Sequence, residues 1–364
     1  MRIYRLDPPR DAFRASKRSG ASAHRSTAIA KVWRWMATGS ARRLLCRAAL
    51  LLSLPLGGTM ALAQTDSFPS RAVHIVVPFG AGSGTDTATR LLAQHLEAGL
   101  KTSVVTDNRP GANGSIAAAA VARAAPDGYT LLMGTNSTHG ANSGLMAKLA
   151  YDPIKDFVAV GLVGVFSSFM VVSPALAVRS PAELVAYGKA NPKALSFAAG
   201  NTSSLIMGEM FARGAGIEML RVPYSSNPAG ITDLIAGRVS VMFPDMASSL
   251  AHVRGGSLRA LAVVTLGERS PLAPELPTVG EAILPGFNFV GWIGLFAPAA
   301  TPAPVIGRLA AELQKAVATP EIGARLQSMG AEARWMGPAE FKTFVASEVT
   351  RLPRILAEIG VQPQ

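Results

Sequence analysis

Residues 72–86 read AVHIVVPFGAGSGTD, an apolar segment followed by a glycine-rich loop. The segment Ala72–Phe79 is short and rich in β-branched residues, which predicts a strand buried on both faces. After the loop Gly80–Asp86, apolar residues recur at helical spacing, and we expect Thr85 or Asp86 to be the helix N-cap. Strand, glycine loop and helix in this order indicate an α/β protein.

The same alternation continues along the chain. A strand at 103–106, an alanine-rich helix at 115–124 and a strand at 129–133 complete a βαβαβ order, which implies a parallel, doubly wound sheet. Further strands, separated by helices, are predicted at 195–198, 219–223, 239–243 and 258–265. The tail is predicted to be helical, with helices at 304–318, 320–329 and 338–359.

Two later segments carry no charge, Val158–Val178 and Phe287–Pro304. The first has enough residues to cross a bilayer. Its glycine, serine and proline residues and its high valine content favour two buried strands joined by a bend, with a membrane span as the alternative. These two segments are where we expect the backbone to pass between two domains.

The charge of the chain is unevenly distributed. The 364 residues carry a formal net charge of +12 and one cysteine, and residues 1–63 hold 12 of the 35 Lys and Arg but only two of the 23 acids. Residues 64–364 therefore carry a net charge of about +2 and no cysteine. This balance removes the case for nucleic acid or an anionic membrane surface as partner, and the lack of cysteines excludes a disulfide-stapled fold.

The N-terminal segment has the pattern of a secretory signal peptide. Basic residues precede the apolar stretch Ala48–Leu56, helix-breaking residues follow it, and Ala61–Ala63 supplies a small-x-small cleavage signal. We predict a signal peptide over residues 1–63, with Met36 as the true start. The pair Arg42-Arg43 leaves a twin-arginine signal as the alternative leader.

Three polar loops follow predicted strands, at the edge where open α/β sheets bind ligands. They are Gly80–Asp86, Gly134–His139 and Gly200–Ser204. Backbone N–H groups and helix N-termini in such loops favour a small anion, whereas turn and capping chemistry alone is the alternative. Two of the loops lie in one half of the chain and one in the other, which indicates a shared cleft.

Catalytic and metal-binding patterns are poor. The sequence contains no Gly-x-Ser-x-Gly or His-Glu-x-x-His motif, and we expect no metal ion and no cofactor. Ser203, His139 and Asp245 could be drawn as a triad, but nothing in the sequence brings them together. Asp245 follows a predicted strand and could accept a hydrogen bond from a ligand's amine or hydroxyl, or simply cap the next helix.

From Phe68 onward the chain carries ordered motifs: FPSRAVHIVVPF at 68–79, NRPGANG at 108–114, APDGYTLL at 125–132, YDP at 151–153, VPY at 222–224, LRALA at 258–262, LPT at 276–278 and PGF at 285–287. In these motifs the chain resembles the Bug-type periplasmic solute receptors, the substrate-binding components of tripartite tricarboxylate transporters. The resemblance covers essentially all of the sequence after the predicted leader.

The resemblance implies a type II periplasmic-binding-protein fold, with two doubly wound α/β lobes and a ligand cleft between them. Lobe 1 is expected over residues 64–168 plus 288–364, and lobe 2 over 169–287. Leu205 and Ser225-Ser226 depart from the family's usual histidine and Lys-Gly. The ligand-binding positions implied by the family are Phe79, Gly80, Ala81, Gly82, Ser83, Asp86, Thr135, Asn136, Ser137, Asn201, Thr202, Ser203, Tyr224 and Asp245.

The implied function is that of an extracytoplasmic receptor that binds a small organic carboxylate for uptake by a tripartite tricarboxylate-type transporter or for sensing. We expect a monomeric periplasmic protein with no membrane span in the mature chain, with the transporter's membrane subunits as candidate partners. The alternative is an enzyme on a two-lobed α/β frame that acts on a small carboxylate. A porphobilinogen-polymerising transferase of that kind needs a cofactor-attachment cysteine, which residues 64–364 lack.

Overall fold

The computed structural model describes residues 68–363. Within this range strands and helices alternate, and the strands form two sheets, one of six strands and one of five. The predicted signal peptide over residues 1–63 lies outside the described residues. In the described part of the chain, no helix combines the length and the apolar character needed to cross a bilayer.

The six-stranded sheet is built on the predicted βαβαβ unit. In spatial order it contains β11 (Ala331–Met336), β4 (Phe157–Phe166), β10 (Gly291–Pro298), β3 (Thr130–Thr135), β1 (Val73–Val77) and β2 (Val104–Asn108). β1 pairs in parallel with β2 and with β3, as the sequence predicts, and Val76 is aligned with Asp107 on one side and Leu132 on the other. β10 runs antiparallel to both β3 and β4, so this sheet is mixed.

The five-stranded sheet repeats this arrangement. In spatial order it contains β7 (Leu220–Pro223), β6 (Ser196–Ala199), β8 (Val241–Met242), β5 (Ser168–Val172) and β9 (Arg259–Val264). β6 pairs in parallel with β7 and β8, whereas β5 runs antiparallel to β8 and β9. The antiparallel inner strand is β10 in the six-stranded sheet and β5 in the five-stranded sheet. Each of them is the first strand after the backbone has crossed from the other sheet. We call the six-stranded sheet with its helices lobe 1 and the five-stranded sheet with its helices lobe 2.

The helices cover both sheets with apolar faces. In lobe 1, Ile306, Leu309 and Leu313 recur at a spacing of three and four residues and pack into the same core as Leu92. The helices of lobe 1 are α1 (Gly84–Leu100), α2 (Ser115–Ala122), α3 (Asn142–Leu145), α9 (Ala303–Ala318), α10 (Pro320–Ser328) and α11 (Pro338–Glu358). Those of lobe 2 are α4 (Pro181–Ala190), α5 (Thr202–Ala215), α6 (Asn227–Ile235), α7 (Met246–Arg254) and α8 (Val279–Ala282).

The first uncharged segment forms two buried strands, as predicted. β4 ends at Phe166 and β5 begins at Ser168, and Ser167 is the single residue between them. The Ser167 N–H donates to the Gly330 carbonyl at 3.0 Å, and the Ser167 carbonyl accepts from the Met246 N–H at 3.0 Å. The backbone passes from one sheet to the other at this point, and it returns between β9 and β10. The second uncharged segment, Phe287–Pro304, contains β10.

Two predictions from the sequence are wrong. The N-cap of α1 is Ser83, not Thr85 or Asp86, because the Ser83 side chain accepts a hydrogen bond from the Asp86 N–H at 3.2 Å. The tail contains the three predicted helices but is not helical throughout, since Ala331–Met336 forms the edge strand β11. Its strand conformation depends on antiparallel pairing with β4, a long-range contact that local propensity does not report.

Candidate functional site

The loop after β1 is held in shape by a buried carboxylate. Asp86 accepts hydrogen bonds from the Gly82 N–H and from Asn108 Nδ2, both at 2.9 Å. Arg90 Nε donates to the same carboxylate at 3.0 Å. Gly82 has a φ of 77°, which favours glycine, and the Ser83 N–H donates to the Gly80 carbonyl, so the chain turns here before α1 begins. These hydrogen bonds of Asp86 are all made within lobe 1, to the loop, to β2 and to α1.

The loop after β3 is fixed by buried hydrogen bonds. Thr138 Oγ1 accepts from the Thr135 N–H at 2.9 Å, and the Tyr151 hydroxyl donates to the Thr138 carbonyl at 2.7 Å. Asn136 and Ser137 are buried at 4% and 1% exposure. Their polar side chains are therefore held at the carboxyl end of the sheet without freedom to turn into solvent.

The loop after β6 carries the matching polar groups of lobe 2. Asn201 and Ser204 form a capping box at the start of α5. Asn201 Oδ1 accepts from the Ser204 N–H at 2.9 Å, and Ser204 Oγ accepts from the Asn201 N–H at 3.1 Å. The cap fixes the two intervening residues, Thr202 and Ser203, at the first turn of α5.

The two loops meet across the gap between the lobes. Asn136 Nδ2 donates to Ser203 Oγ at 3.1 Å, and the Thr202 N–H donates to Ser137 Oγ at 3.2 Å. Asn113 adds a third contact, because its Nδ2 lies 2.6 Å from Thr202 Oγ1. Lobe 1 and lobe 2 are thus joined by hydrogen bonds between neutral side chains and backbone.

A cavity of about 30 Å³ lies between the lobes beside these contacts. This volume holds about one or two water molecules. Its walls come from both lobes and from the segments that connect them. The lining residues are Phe79, Thr85, Thr135, Asn136, Ser137, Phe166, Ser168, Asn201, Ser203, Asp245, Gly291, Trp292 and Ile293.

The structure brings half of the predicted positions to this cavity. Those that line it are Phe79, Thr135, Asn136, Ser137, Asn201, Ser203 and Asp245. Those that do not are Gly80, Ala81, Gly82, Ser83, Asp86, Thr202 and Tyr224. Thr202 belongs to the contact between the lobes, and the Tyr224 hydroxyl donates to Asp233 at 2.8 Å.

Six lining residues were not predicted from the sequence: Thr85, Phe166, Ser168, Gly291, Trp292 and Ile293. Five of them belong to β4, β5 and β10, the strands on either side of the two crossings between the sheets. Trp292 is fixed by a hydrogen bond from Nε1 to Glu348 Oε2 at 2.9 Å. The two uncharged segments were the available signal, since the first spans the crossing between β4 and β5 and the second contains β10.

Asp245 has the capping role that the sequence left open, and it also lines the cavity. Its Oδ1 accepts from the Ser248 N–H at 2.9 Å, which caps α7, and its Oδ2 accepts from Asn227 Nδ2 at 2.6 Å. Burial raises the pKa of the Asp245 carboxyl above its ordinary value. Gly84 lies close by, because a Cβ at this position would be 2.5 Å from Asp245 Oδ1.

The structure does not assemble the triad drawn from the sequence. His139 is fully buried, its Nδ1 lies 3.0 Å from Thr138 Oγ1, and burial lowers its pKa to about 3. Ser203 Oγ bonds with Asn136, and Asp245 bonds with Asn227 and Ser248. Among residues 68–363, no cluster of three His, Cys, Asp or Glu side chains is arranged to hold a metal ion.

The cavity is suited to holding a small anion through neutral groups. The N-terminal turns of α1 and α5 contribute lining residues from opposite lobes, Thr85 and Ser203. Helix N-termini and hydroxyl or amide donors stabilise a carboxylate without a formal cation. No Lys, Arg or His is among the described residues that line this cavity.

Comparison with known proteins identifies relatives along most of the chain. The family model described as "Tripartite tricarboxylate transporter family receptor" (TctC) matches residues 88–361. The UPF0065 protein in the tcbD-tcbE intergenic region of Pseudomonas sp. (strain P51) is 35% identical over 326 residues, covering 87% of this chain and 94% of that protein.

Solved structures with the same fold are also found. The R. palustris protein Rpa4515 with adipate has a TM-score of 0.79 at 31% identity, covering 82% of this chain and 100% of that chain. The periplasmic binding protein BugD has a TM-score of 0.78 at 31% identity, with coverage of 82% and 100%. The chain therefore belongs to the Bug-type TctC family of tripartite tricarboxylate transporter receptors, and it has their two-lobed α/β fold.

Proposed function

We propose that the protein is a periplasmic solute receptor that binds a small organic carboxylate between its two lobes. The observation that carries this proposal is the cavity itself, where polar loops and helix N-termini of both lobes converge. Membership of a receptor family supports the proposal, as does the solved relative described with adipate. The ligand positions proposed are the seven predicted residues that line the cavity. Gly80–Ser83 and Asp86 act through the shape of the first loop, Thr202 through the contact between the lobes, and Tyr224 through its bond with Asp233 in lobe 2.

The proposed mechanism is physical and involves no bond chemistry. A ligand that touches both lobes stabilises the arrangement in which they meet, by its greater affinity for that arrangement. The hydrogen bonds from Asn136 to Ser203 and from Thr202 to Ser137 support this mechanism, because they join the same two loops. A cavity of about 30 Å³ has room for about one or two water molecules, so the lobes must part to admit a carboxylate of several carbons and lie slightly further apart around it than in this structure.

The proposal includes location and partners. We infer cleavage of the predicted leader after residue 63, release of a monomer into the periplasm, and recognition of the ligand-bound form by membrane subunits of a tripartite transporter or by a sensor. Lobe boundaries at residues 168 and 287 are supported by the change of sheet between Phe166 and Ser168 and between Val264 and Gly291. The family's role as receptor favours binding over the alternative of an enzyme on the same frame.

The test is a ligand panel measured with the purified protein. We expect at least one mono-, di- or tricarboxylate, amino acid or aromatic acid to raise the melting temperature, because binding to the folded state alone stabilises it. Native mass spectrometry of the protein as purified provides an independent search for a bound acid. No thermal shift with any acid, together with no copurified small molecule, would count against the receptor function, and measurable turnover of an acid would favour the enzyme alternative.

A further inference from the structure

One carboxylate lies among the residues that line the cavity. Of the described lining residues, Asp245 is the single ionisable side chain, and the others are hydroxyl, amide, aromatic or aliphatic groups or glycine. The donors and helix N-termini favour an anionic group of the ligand, whereas Asp245 repels one that comes close to it. The cavity therefore offers donors for a carboxylate and, in addition, a separate acceptor.

The Asp245 carboxylate is held in an accepting arrangement. The Ser248 N–H donates to one oxygen at 2.9 Å, and Asn227 Nδ2 donates to the other at 2.6 Å. The Asp245 backbone is fixed by an antiparallel bridge to Ser168, the first residue of β5. A carboxylate has room for about four hydrogen bonds, so both oxygens can accept a further donor.

A further hydrogen-bond donor would stabilise the Asp245 carboxylate, because its surroundings keep water away from it. Gly84 at the start of α1 approaches Asp245 so closely that a Cβ there would lie 2.5 Å from Oδ1. Loss of water around the carboxyl raises the pKa of Asp245. A part-buried carboxylate is costly unless it is paired or well hydrogen-bonded, and an ammonium or hydroxyl group from the ligand would complete its bonding. A second carboxylate at the same place would add repulsion instead.

We propose that Asp245 is a specificity-determining residue that accepts a hydrogen bond from an ammonium or hydroxyl group of the ligand. The preferred ligands are then amino acids or hydroxy acids, bound more tightly than the same acids without the donor. This inference rests on the proposed function, because it requires that the ligand's carboxylate occupies the same cavity.

The test uses acids that differ in one substituent. Succinate, malate and aspartate share four carbons and two carboxylates and carry hydrogen, hydroxyl or ammonium at the second carbon. We expect calorimetry of the wild-type protein to give dissociation constants for malate and aspartate about tenfold or more below that for succinate. The same comparison is made with propionate, lactate and alanine, and with glutarate, 2-hydroxyglutarate and glutamate, to allow for chain length.

The variant Asp245→Asn removes the negative charge and keeps the helix cap, because Asn is as good an N-cap residue as Asp. In this variant we expect aspartate binding to weaken by about tenfold or more while succinate binds as tightly as before or more tightly. Asp107→Asn, on β2 outside the cavity, is the matched control and should leave all the dissociation constants unchanged. Melting curves verify that both variants fold. If a variant does not fold, the comparison of succinate, malate and aspartate on the wild-type protein still tests the proposal.

The outcomes separate this inference from the proposed function. If the parent acids bind the wild-type protein as tightly as their amino and hydroxy forms, or if Asp245→Asn leaves the ratio of aspartate to succinate unchanged, the role of Asp245 is overturned and the receptor function stands. If no acid of the three series and none of the wider panel binds, both are overturned.

Discussion

His139 is kept neutral by its surroundings in lobe 1. Its ring stacks on Phe296 with centroids 3.7 Å apart, it is fully buried, and burial lowers its pKa from 6.5 to about 3. The unfolded chain therefore takes up this proton near pH 6.5 and the folded chain only near pH 3. The stability that the neutral His139 contributes to the fold is therefore fully present above pH 6.5. Below that pH, the free energy of unfolding falls by about 1.4 kcal/mol per pH unit as the pH drops towards 3.

We expect His139→Leu to remove this part of the pH dependence, because leucine has a similar volume and no titratable group. Urea unfolding between about pH 4.5 and 7.5 measures the slope. His74→Gln, an exposed position on β1, is the control and should keep the wild-type slope. A slope for His139→Leu equal to that of the wild type would show that His139 is not the group that titrates.

At the scale of single residues, part of the site could be predicted from the sequence. The loops that hold Thr135–Ser137, Asn201 and Ser203 were identified because polar residues after strands collect at one edge of a sheet, and the family resemblance implied the individual positions. Thr85 and Trp292 were missed, because their place at the cavity depends on how the two lobes meet. An aspartate beside a glycine loop is equally compatible with ligand contact and with support of the loop, and the structure gives Asp86 the bonds of a support.

At the scale of elements, the N-terminus of α1 contacts lobe 2 through its first residue. Gly84 has no Cβ, and adding one would place it 2.5 Å from Asp245 Oδ1 and 3.2 Å from the Cβ of Ala247. We expect Gly84→Ala to hold the lobes apart and to weaken ligand binding by about tenfold or more. Stability should change little, because alanine is the better helix former. Calorimetric titration and thermal unfolding of the same sample measure the two effects.

Gly307→Ala is the matched control for this substitution. Gly307 lies in α9, is exposed and has nothing within 4 Å of an added Cβ. We expect it to leave ligand affinity unchanged and to stabilise the fold by about 0.5–1 kcal/mol through helix propensity. Wild-type affinity in Gly84→Ala would mean that the close contact between α1 and Asp245 is not part of ligand binding.

The elements themselves were more predictable than their arrangement. The strands of the βαβαβ unit and the helix α4, with its N-cap Ser180 and first-turn Pro181, follow from local pattern and capping chemistry. The order of the six-stranded sheet, with β10 between β3 and β4, rests on pairing between residues more than a hundred positions apart. Such pairing leaves no periodic signal in the sequence, and β11 was missed for the same reason.

At the scale of the whole molecule, two α/β lobes present neutral polar loops to each other. The composition of residues 64–364, with a net charge of about +2, agrees with a binding site that relies on helix N-termini and hydroxyl groups. The central claim is that one ligand is held by both lobes at once. Asn136 in lobe 1 and Ser203 in lobe 2 test this claim together, because both line the cavity and bond with each other.

The most direct measurement is calorimetric titration of Asn136→Ala and Ser203→Ala with the tightest acid of the panel. Asn191→Ala in lobe 2 and Ser328→Ala in lobe 1, both exposed and outside the cavity, serve as controls with wild-type affinity. We expect one site per chain in the wild type and a loss of affinity of about tenfold or more in each cavity variant, since each removes a hydrogen-bonding group next to a charged ligand. Wild-type affinity in both cavity variants would contradict a ligand held between the two lobes.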